Sequence, residues 1–297
     1  MVVQEPLHQP CGWSPSPFRG GQNNEVKNMK FGKKLAAAVL TGILAGSMAL
    51  PALAVQRNNF TDDMKITGVE KITRDQGAAS IERKLDHKKS PYYVHPDFYH
   101  MHSKGSLTLL PAFKTIQQSS EWSCGPAAAL MVLNWYGRQK DWTEQKLADL
   151  RHPLKDVQVP GFPNGYPGTT LEQMKDMFQK VGGFDLVTTE DYVKAGKTFG
   201  PEDIKATLKA GKPILIGWID WGGHWQVIIG YDDMGTENTQ DDVIIVADPY
   251  DTTDHDQDGY GILPAARFFS TFDMYGQFPE KEGGNHNLFV IVSPAKP

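Results

Sequence analysis

The chain has 297 residues, of which 40% are hydrophobic and 22% charged, and it carries a formal net charge of −5 at pH 7. This composition excludes an intrinsically disordered or fibrous protein, and the length suits one domain of ordinary size. The acidic balance argues against a nucleic-acid partner, because phosphate binding requires clustered lysine and arginine.

The segment that begins at Met29 has the layout of a secretory signal peptide. A group of lysines precedes an apolar run over residues 35–50, and the small residues of a cleavage site follow that run. We therefore expect residues 1–28 to be an upstream mis-start, residues 29–54 to be a signal peptide, and the protein to be exported to a periplasm or outside the cell. The run is too short to favour a membrane span, and an uncleaved anchor is the alternative.

Residues 55–110 are polar and charge-rich, with little sustained periodicity. Such a composition is typical of an extended segment rather than of a packed core. We expect an N-terminal extension here, or a prosegment. From Pro111 the pattern becomes globular, so residues 111–297 are predicted to form the functional domain.

The first predicted helix is apolar on nearly every face. Residues 127–136 contain almost no polar side chain, and Gly137 ends the helix. Pro126 suits the first turn of a helix, where a missing backbone N–H costs nothing. A helix that is apolar all round is buried, so we expect this one in the centre of the domain.

Two amphipathic helices follow. Thr169 and Glu172 have the spacing of a capping box, and apolar residues then recur at helical spacing as far as Gly182. Pro201 opens the next helix, which Gly211 closes.

After Pro213 the apolar residues occur in short runs with β-branched side chains, which predicts strands. The predicted strands are Ile214 to Trp218, Trp225 to Tyr231, Val243 to Ala247 and Leu288 to Val292. Helices in the first part and strands in the second predict an α+β fold, in which the buried helix packs on an antiparallel sheet.

The surroundings of Cys124 indicate a reactive thiol. Cys124 is the one cysteine left after residues 1–54 are removed, so it has no partner for an internal disulfide. It opens the buried helix, where unpaired backbone N–H groups and the helix dipole favour the thiolate form of a cysteine. We expect Gly125 to let a substrate backbone approach closely. A buried thiol with no chemical role is the alternative.

A cysteine nucleophile needs a base, and His224 is the best candidate among nine histidines. It follows two glycines and precedes a predicted strand, which would hold the ring at the edge of a rigid element. Asp248 ends the next predicted strand. If the two strands are antiparallel neighbours, Asp248 and His224 meet at one sheet edge, where the carboxylate can fix the ring. Asp220 is the competing carboxylate.

Together these residues resemble the papain-like cysteine peptidases of the bacteriocin-processing, double-glycine-leader type, cysteine peptidase family thirty-nine. The resemblance covers roughly residues 111–292. It depends on Gln118 six residues before Cys124, on the Cys-Gly-Pro-Ala helix start, on His224 before a strand, and on the Asp248-Pro249 pair after the next strand. It implies a papain-like fold in which Cys124 is the nucleophile, His224 the general base and acid, Asp248 the orienting residue and Gln118 an oxyanion donor.

An acidic loop near the C-terminus invites comparison with a calcium site. Asp254, Asp256, Asp258 and Gly259 match positions one, three, five and six of a calcium-binding loop, but Ala265 occupies the twelfth position, where a carboxylate is needed. We favour an acidic surface turn, with a structural calcium ion as the secondary hypothesis, and we expect no required cofactor and no metal at the active site.

We therefore predict an exported thiol hydrolase that cleaves peptide bonds through a thioester, with a peptide or protein as its substrate. An amide hydrolase or transpeptidase acting on cell-wall peptides is the alternative within the enzyme class. A secreted binding or immunity module that keeps a papain-like shell without turnover is the alternative from another class. The preferred bond and the oligomeric state stay open.

Overall fold

The fold combines helices with antiparallel strands. A computed structural model describes residues 62–73, 77–80, 96–154, 168–220, 223–252, 257–272 and 287–296. The helices are α1 (Cys124–Trp135), α2 (Glu144–Asp149), α3 (Leu171–Val181), α4 (Thr189–Lys194), α5 (Pro201–Lys209) and α6 (Ala265–Thr271). The strands are β1 (Leu107–Leu109), β2 (Phe184–Thr188), β3 (Ile214–Trp218), β4 (His224–Asp232), β5 (Val243–Ala247), β6 (Tyr260–Pro264) and β7 (Leu288–Pro294).

The strands form one sheet in the order β2-β7-β3-β4-β5-β6, with β1 paired to β4 outside this path. Every pairing between these strands is antiparallel. The central strands are buried on both faces, which explains why β3 and β5 occur in the sequence as unbroken apolar runs. The expectation of helices combined with an antiparallel sheet is confirmed, and β4 and β5 are neighbours as predicted.

Helix α1 occupies the centre of the molecule. Its residues from Cys124 to Leu133 are all buried, and it packs against β4, α2 and α3. The small side chains Ala127, Ala128 and Ala129 let these neighbours approach closely, which a helix with long side chains would prevent. The predicted buried helix is therefore confirmed.

The capping box of α3 differs from the prediction by one residue. Thr170 and Gln173 form it, because the Thr170 hydroxyl accepts from the Gln173 N–H at 3.1 Å and the Gln173 side chain accepts from the Thr170 N–H at 3.0 Å. Both threonines have a suitable partner three residues on, so the sequence fits either frame. Thr169 is used elsewhere, since its hydroxyl accepts from the Arg151 guanidinium at 3.0 Å and its carbonyl accepts from the Trp225 indole at 2.7 Å.

The described parts of residues 55–110 pack into the main core. Met64 and Phe98 are buried in that core, and β1 pairs with β4. Lys65 forms a bridge with Thr115, and its ammonium group donates to the Thr115 hydroxyl at 2.9 Å. Although this segment is polar in composition, a few of its side chains are deeply buried. Whether any of it acts as a prosegment stays a prediction.

No helix in the described ranges has both the length and the apolar character needed to cross a bilayer. The predicted signal peptide over residues 29–54 lies outside the described residues, as does the predicted mis-start over residues 1–28.

Candidate active site

The candidate site begins at the N-terminal end of α1. Cys124 is the first residue of the helix, and only 7% of its surface is exposed. The Ser123 side chain makes no capping bond to the helix, so the first backbone N–H groups of α1 lack that partner. The sequence placed Cys124 at this position, and the structure agrees.

The structure gives Gly125 a packing role that the sequence analysis did not include. A side-chain carbon added there would lie 2.3 Å from the Thr169 hydroxyl oxygen, so the glycine allows α1 to pack closely on Thr169. The Thr169 hydroxyl in turn accepts a hydrogen bond from Arg151. The expectation that Gly125 admits a substrate backbone stays a prediction beside this packing role.

The ring of His224 lies between a thiol and a carboxylate. Its Nε2 atom is 2.6 Å from the Oδ1 atom of Asp248, and the Cys124 side chain contributes to raising the pKa of the ring. The bond to Asp248 occupies Nε2 and leaves Nδ1 for the thiol. The ring is 4% exposed and is held at the first residue of β4. The carboxylate hydrogen-bonded to His224 is that of Asp248.

Opposing effects set the charge of this pair. Burial alone lowers the pKa of His224, but the Asp248 charge, the hydrogen bond to Asp248 and the contact with Cys124 together raise that pKa well above its ordinary value. Burial alone raises the pKa of Asp248, while the His224 charge and hydrogen bonds from His224, Tyr250 and Gln226 lower it. The two groups therefore favour an imidazolium beside a carboxylate.

Three residues that the sequence analysis did not identify hold Asp248 in place. The Tyr250 N–H donates to Oδ1 at 2.7 Å, and the Gln226 amide donates to Oδ2 at 2.8 Å. The Trp218 indole donates to the Gln226 side-chain oxygen at 2.9 Å. Gln226 lies two residues after His224, so both point to the same side of β4. The sequence signal that could have identified Gln226 is a polar side chain two residues after His224 within an otherwise apolar strand.

Gln118 is fully buried near the start of the segment that leads into α1. Its backbone N–H donates to the carbonyl of Pro249 at 2.8 Å, which connects it to the residue after Asp248. Its side-chain nitrogen donates to the Ser120 carbonyl at 2.8 Å, and a second N–H of the amide remains for another acceptor. Within the described chain no hydrogen-bond partner reaches its side-chain oxygen.

Arg151 is a second cation in this region. Its guanidinium lies over the Trp122 ring at 5.0 Å and donates to the Gly168 carbonyl at 2.6 Å. Burial lowers the pKa of Arg151 to about 10, and the charges of Cys124 and Asp149 oppose this. The sequence gave no signal for Arg151, because it lies 27 positions after Cys124 in an irregular segment.

The acidic loop that resembles a calcium site is described only in part. Asp254 and Asp256 lie outside the described residues, so the calcium hypothesis stays a prediction. Asp258 is buried, and its backbone carbonyl accepts from the Lys65 ammonium at 2.8 Å. Among the described side chains, no group of three or more histidine, cysteine or carboxylate residues could hold a metal ion.

Comparison with known proteins supplies a family. The model of the Peptidase_C39 like family matches residues 111–277, which is more than half of the chain and includes Gln118, Cys124, His224 and Asp248. No curated protein matches the chain significantly. The matched range begins where the sequence pattern becomes globular. The chain therefore belongs to the Peptidase_C39 like family.

Proposed function

We propose that the protein is an exported cysteine peptidase that hydrolyses peptide bonds through a thioester on Cys124. The observation that carries this proposal is the position of the His224 ring, which is hydrogen-bonded to Asp248 and whose pKa is raised by both Asp248 and the Cys124 thiol. A nucleophile, a base and an orienting group within hydrogen-bond reach of one another are the geometric requirement for covalent catalysis.

In the first half of the reaction, the sulfur of Cys124 forms a bond to the carbonyl carbon of the substrate. The carbonyl oxygen becomes an oxyanion, which the second N–H of the Gln118 amide and the backbone N–H of Cys124 stabilise. The carbon–nitrogen bond then breaks, and the His224 imidazolium gives its proton to the leaving amine. The product is a thioester on Cys124 and a free amine.

In the second half, water attacks the thioester. The neutral His224 ring takes a proton from the water, a carbon–oxygen bond forms, and the carbon–sulfur bond breaks. The second product is a carboxylic acid, and the site returns to the thiolate and imidazolium. Asp248 keeps the ring in the orientation that both halves need, supported by Gln226 and Tyr250.

A papain-like fold is part of the proposal. It is supported by the family membership and by a buried helix that carries the candidate nucleophile and packs on an antiparallel sheet. Export is supported by the signal-peptide pattern at residues 29–54, which lie outside the described residues. Detection of a shortened protein in the cell exterior or periplasm, with a mature N-terminus near Val55, tests export.

Alkylation of Cys124 by iodoacetamide near neutral pH tests the proposed chemistry. We expect the native protein to react faster at Cys124 than the urea-unfolded protein does, and we expect His224→Ala to remove that advantage. Digestion of a peptide mixture by the parent, with none by Cys124→Ala, is expected in parallel. A native thiol that reacts no faster than the unfolded one, together with no digestion, would support a binding module instead.

A further inference from the structure

A buried carboxylate that the proposed reaction does not use lies behind the candidate site. Glu144 is the first residue of α2 and is 1% exposed. An acidic residue in the first turn of a helix is ordinary, because it interacts favourably with the helix dipole. The oxygens of Glu144 nevertheless accept hydrogen bonds from another segment, residues 118–123, which we call the donor loop.

One oxygen of Glu144 joins the two ends of the donor loop. The Oε1 atom accepts from the Ser119 N–H at 3.0 Å and from the Ser123 hydroxyl at 2.9 Å. Ser119 directly follows Gln118, and Ser123 directly precedes Cys124. The carboxylate is therefore one residue away from each of the two proposed oxyanion donors.

The directions of the hydrogen bonds require an acceptor at Glu144. The Ser119 hydroxyl accepts from the Ile72 N–H at 2.8 Å and donates to Oε2 at 2.6 Å. The Ser123 hydroxyl accepts from the Ser120 N–H at 3.2 Å. A bond of 2.6 Å is in the range of charge-assisted O–H···O⁻ bonds. The Ser119 hydroxyl proton thus points at the carboxylate, while the Ser123 hydroxyl can donate to the carboxylate or to the Ser120 carbonyl, which lies 3.3 Å away.

Burial opposes the charge that this network needs. Burial is the largest effect and leaves the pKa of Glu144 above its ordinary value, although the hydrogen bonds from Ser119 and Ser123 and the charge of Lys71 lower it. A buried carboxylate that contributed nothing would cost stability, since its desolvation has to be offset by its hydrogen bonds. Three donors from one short loop supply that compensation.

The donor loop needs this outside support. Two of its buried polar atoms, the side-chain oxygens of Gln118 and Ser120, have no hydrogen-bond partner in the described part of the chain. Buried polar atoms without partners are rare and costly. The loop is also tied at Gln118, whose carbonyl accepts from the Ala79 N–H at 2.9 Å and whose own N–H donates to Pro249.

We propose that Glu144 is a positioning residue that fixes the separation between the Gln118 amide and the backbone N–H of Cys124. This inference rests on the proposed function, because it assigns both groups to the oxyanion. Glu144 does not touch the substrate. It acts through Ser119 and Ser123, and its loss shifts the two donors relative to each other while the ties from Ala79 and Pro249 keep the loop in place.

The decisive variant is Glu144→Gln, which places an NH₂ group where one carboxylate oxygen was. The NH₂ group then faces a serine hydroxyl that already donates toward it, so two donors meet. The hydrogen bond from the Ser119 or the Ser123 hydroxyl to residue 144 is therefore lost. Asp149→Asn is the matched control, since it makes the same acid-to-amide change at an exposed position on α2. Gln118→Ala serves as the reference for loss of a donor.

Two rates measured on each variant separate positioning from general damage. Peptide cleavage passes through an oxyanion, whereas alkylation of Cys124 by iodoacetamide does not. Removal of one oxyanion donor costs ~10²–10³-fold in kcat. We expect Glu144→Gln to lower kcat by about 10-fold or more with KM nearly unchanged, and to leave the alkylation rate within about 2-fold of the parent.

A double variant adds an independent comparison. If Glu144 acts through Gln118, the Glu144→Gln change should lower kcat less in the Gln118→Ala background than in the parent. Should Glu144→Gln fail to fold, Ser123→Ala removes one arm of the network and is expected to show the same loss of kcat with unchanged alkylation.

The inference is overturned if Glu144→Gln keeps the kcat of the Asp149→Asn control, or if alkylation falls in parallel with kcat. A foldable Ser123→Ala variant with parental kcat overturns it in the same way. Failure of the proposed function has a different signature, because the parent itself would then cleave no peptide and show no enhanced reactivity at Cys124.

Discussion

The charge of the His224 ring is the property of a single residue on which the proposed reaction depends. A buried histidine is ordinarily neutral, because burial disfavours its charged form. Here the carboxylate of Asp248, 2.6 Å away, reverses that tendency and raises the pKa of His224 well above the ordinary 6.5. The ring is therefore ready to donate a proton to a leaving amine.

The same pair couples stability to pH. Since the pKa of His224 is raised on folding, its stabilising contribution is complete below about pH 6.5 and is lost as the pH rises through the raised value. The pKa of Asp248 is lowered on folding, so its contribution is present above pH 3.8 and is lost as the pH falls through the lowered value. We expect the pair to stabilise the fold most between these two transitions.

Asp248→Asn tests this account at the residue scale. Without the negative charge, the ring loses the largest effect that raises the pKa of His224, so we expect that pKa to fall in an NMR titration of the ring. The asparagine oxygen can still accept from the Tyr250 N–H, which keeps the side chain in place. We also expect kcat to fall by roughly 10²–10⁴-fold. A parental His224 titration in Asp248→Asn would show that Asp248 does not set the charge of the ring.

At the scale of secondary structure, three of the four candidate site residues lie where an element begins or ends. Cys124 opens α1, His224 opens β4, and Asp248 directly follows β5. Pairing of β4 with β5 brings the last two together, since antiparallel neighbours place the start of one strand beside the end of the next. Gln118 lies in no such position, and a turn of the N-terminal segment holds it by a hydrogen bond from the Ala79 N–H to its carbonyl.

Gly77 makes that support possible. Its φ is +67°, and a side-chain carbon added there would lie 2.6 Å from the Ser120 nitrogen and 2.7 Å from the Gln118 carbonyl oxygen. Its N–H also donates to the Glu121 side chain at 3.0 Å. A glycine is therefore required both by the backbone conformation and by the close approach of two chain segments.

Gly77→Ala is predicted to lower both stability and kcat, because the clash displaces the segment that carries Gln118. Gly68→Ala is the matched control, since Gly68 has a similar φ of +71° but nothing within 4 Å of the added carbon. Both changes incur the left-handed cost of about 1–2 kcal/mol. Thermal unfolding and peptide cleavage should separate them, and equal behaviour of the two variants would refute the contact argument.

The sequence predicted the elements that surround the candidate nucleophile better than those at the sheet margins. The apolar runs of α1, β3 and β5 give a clear signal because they are buried on all sides. Strands β2 and β6 form the two sheet edges and are half-exposed, so their patterns are weak.

The supports of the candidate site were less accessible from the sequence. The sequence analysis could place His224 near Asp248, because the pairing of β4 with β5 determines how far apart these two residues lie. Glu144 and Arg151 reach the region through tertiary packing between distant segments, and no local pattern encodes such contacts. Thr169 was assigned to the wrong frame because Thr170 offers an equally good cap.

At the scale of the whole molecule, the N-terminal segment and the C-terminal acidic loop meet around a buried lysine. The Lys65 ammonium donates to the Asp258 carbonyl and to the Thr115 hydroxyl, which itself donates to that carbonyl at 2.7 Å. Burial of Met64 and Phe98 adds about 1.5–3 kcal/mol for each side chain. The described residues before Pro111 thus contribute to the stability of the functional domain.

A chain that begins at Pro111 is therefore predicted to unfold at a lower temperature than a chain that begins at Val55. The truncated chain loses the buried side chains of the N-terminal segment and the hydrogen bonds from Lys65. Thermal unfolding and peptide cleavage on both chains test this expectation. A truncated chain that is equally stable and more active would instead favour the inhibitory prosegment.

Detection of the thioester on Cys124 tests the central claim most directly. A digestion of a peptide mixture is stopped with acid. The mass of the protein fragment that contains Cys124 is then measured by mass spectrometry. We predict an acyl group on Cys124 in the parent, and neither an acyl group nor cleaved peptides with Cys124→Ala. Cleavage by Cys124→Ala at the parental rate would contradict the account.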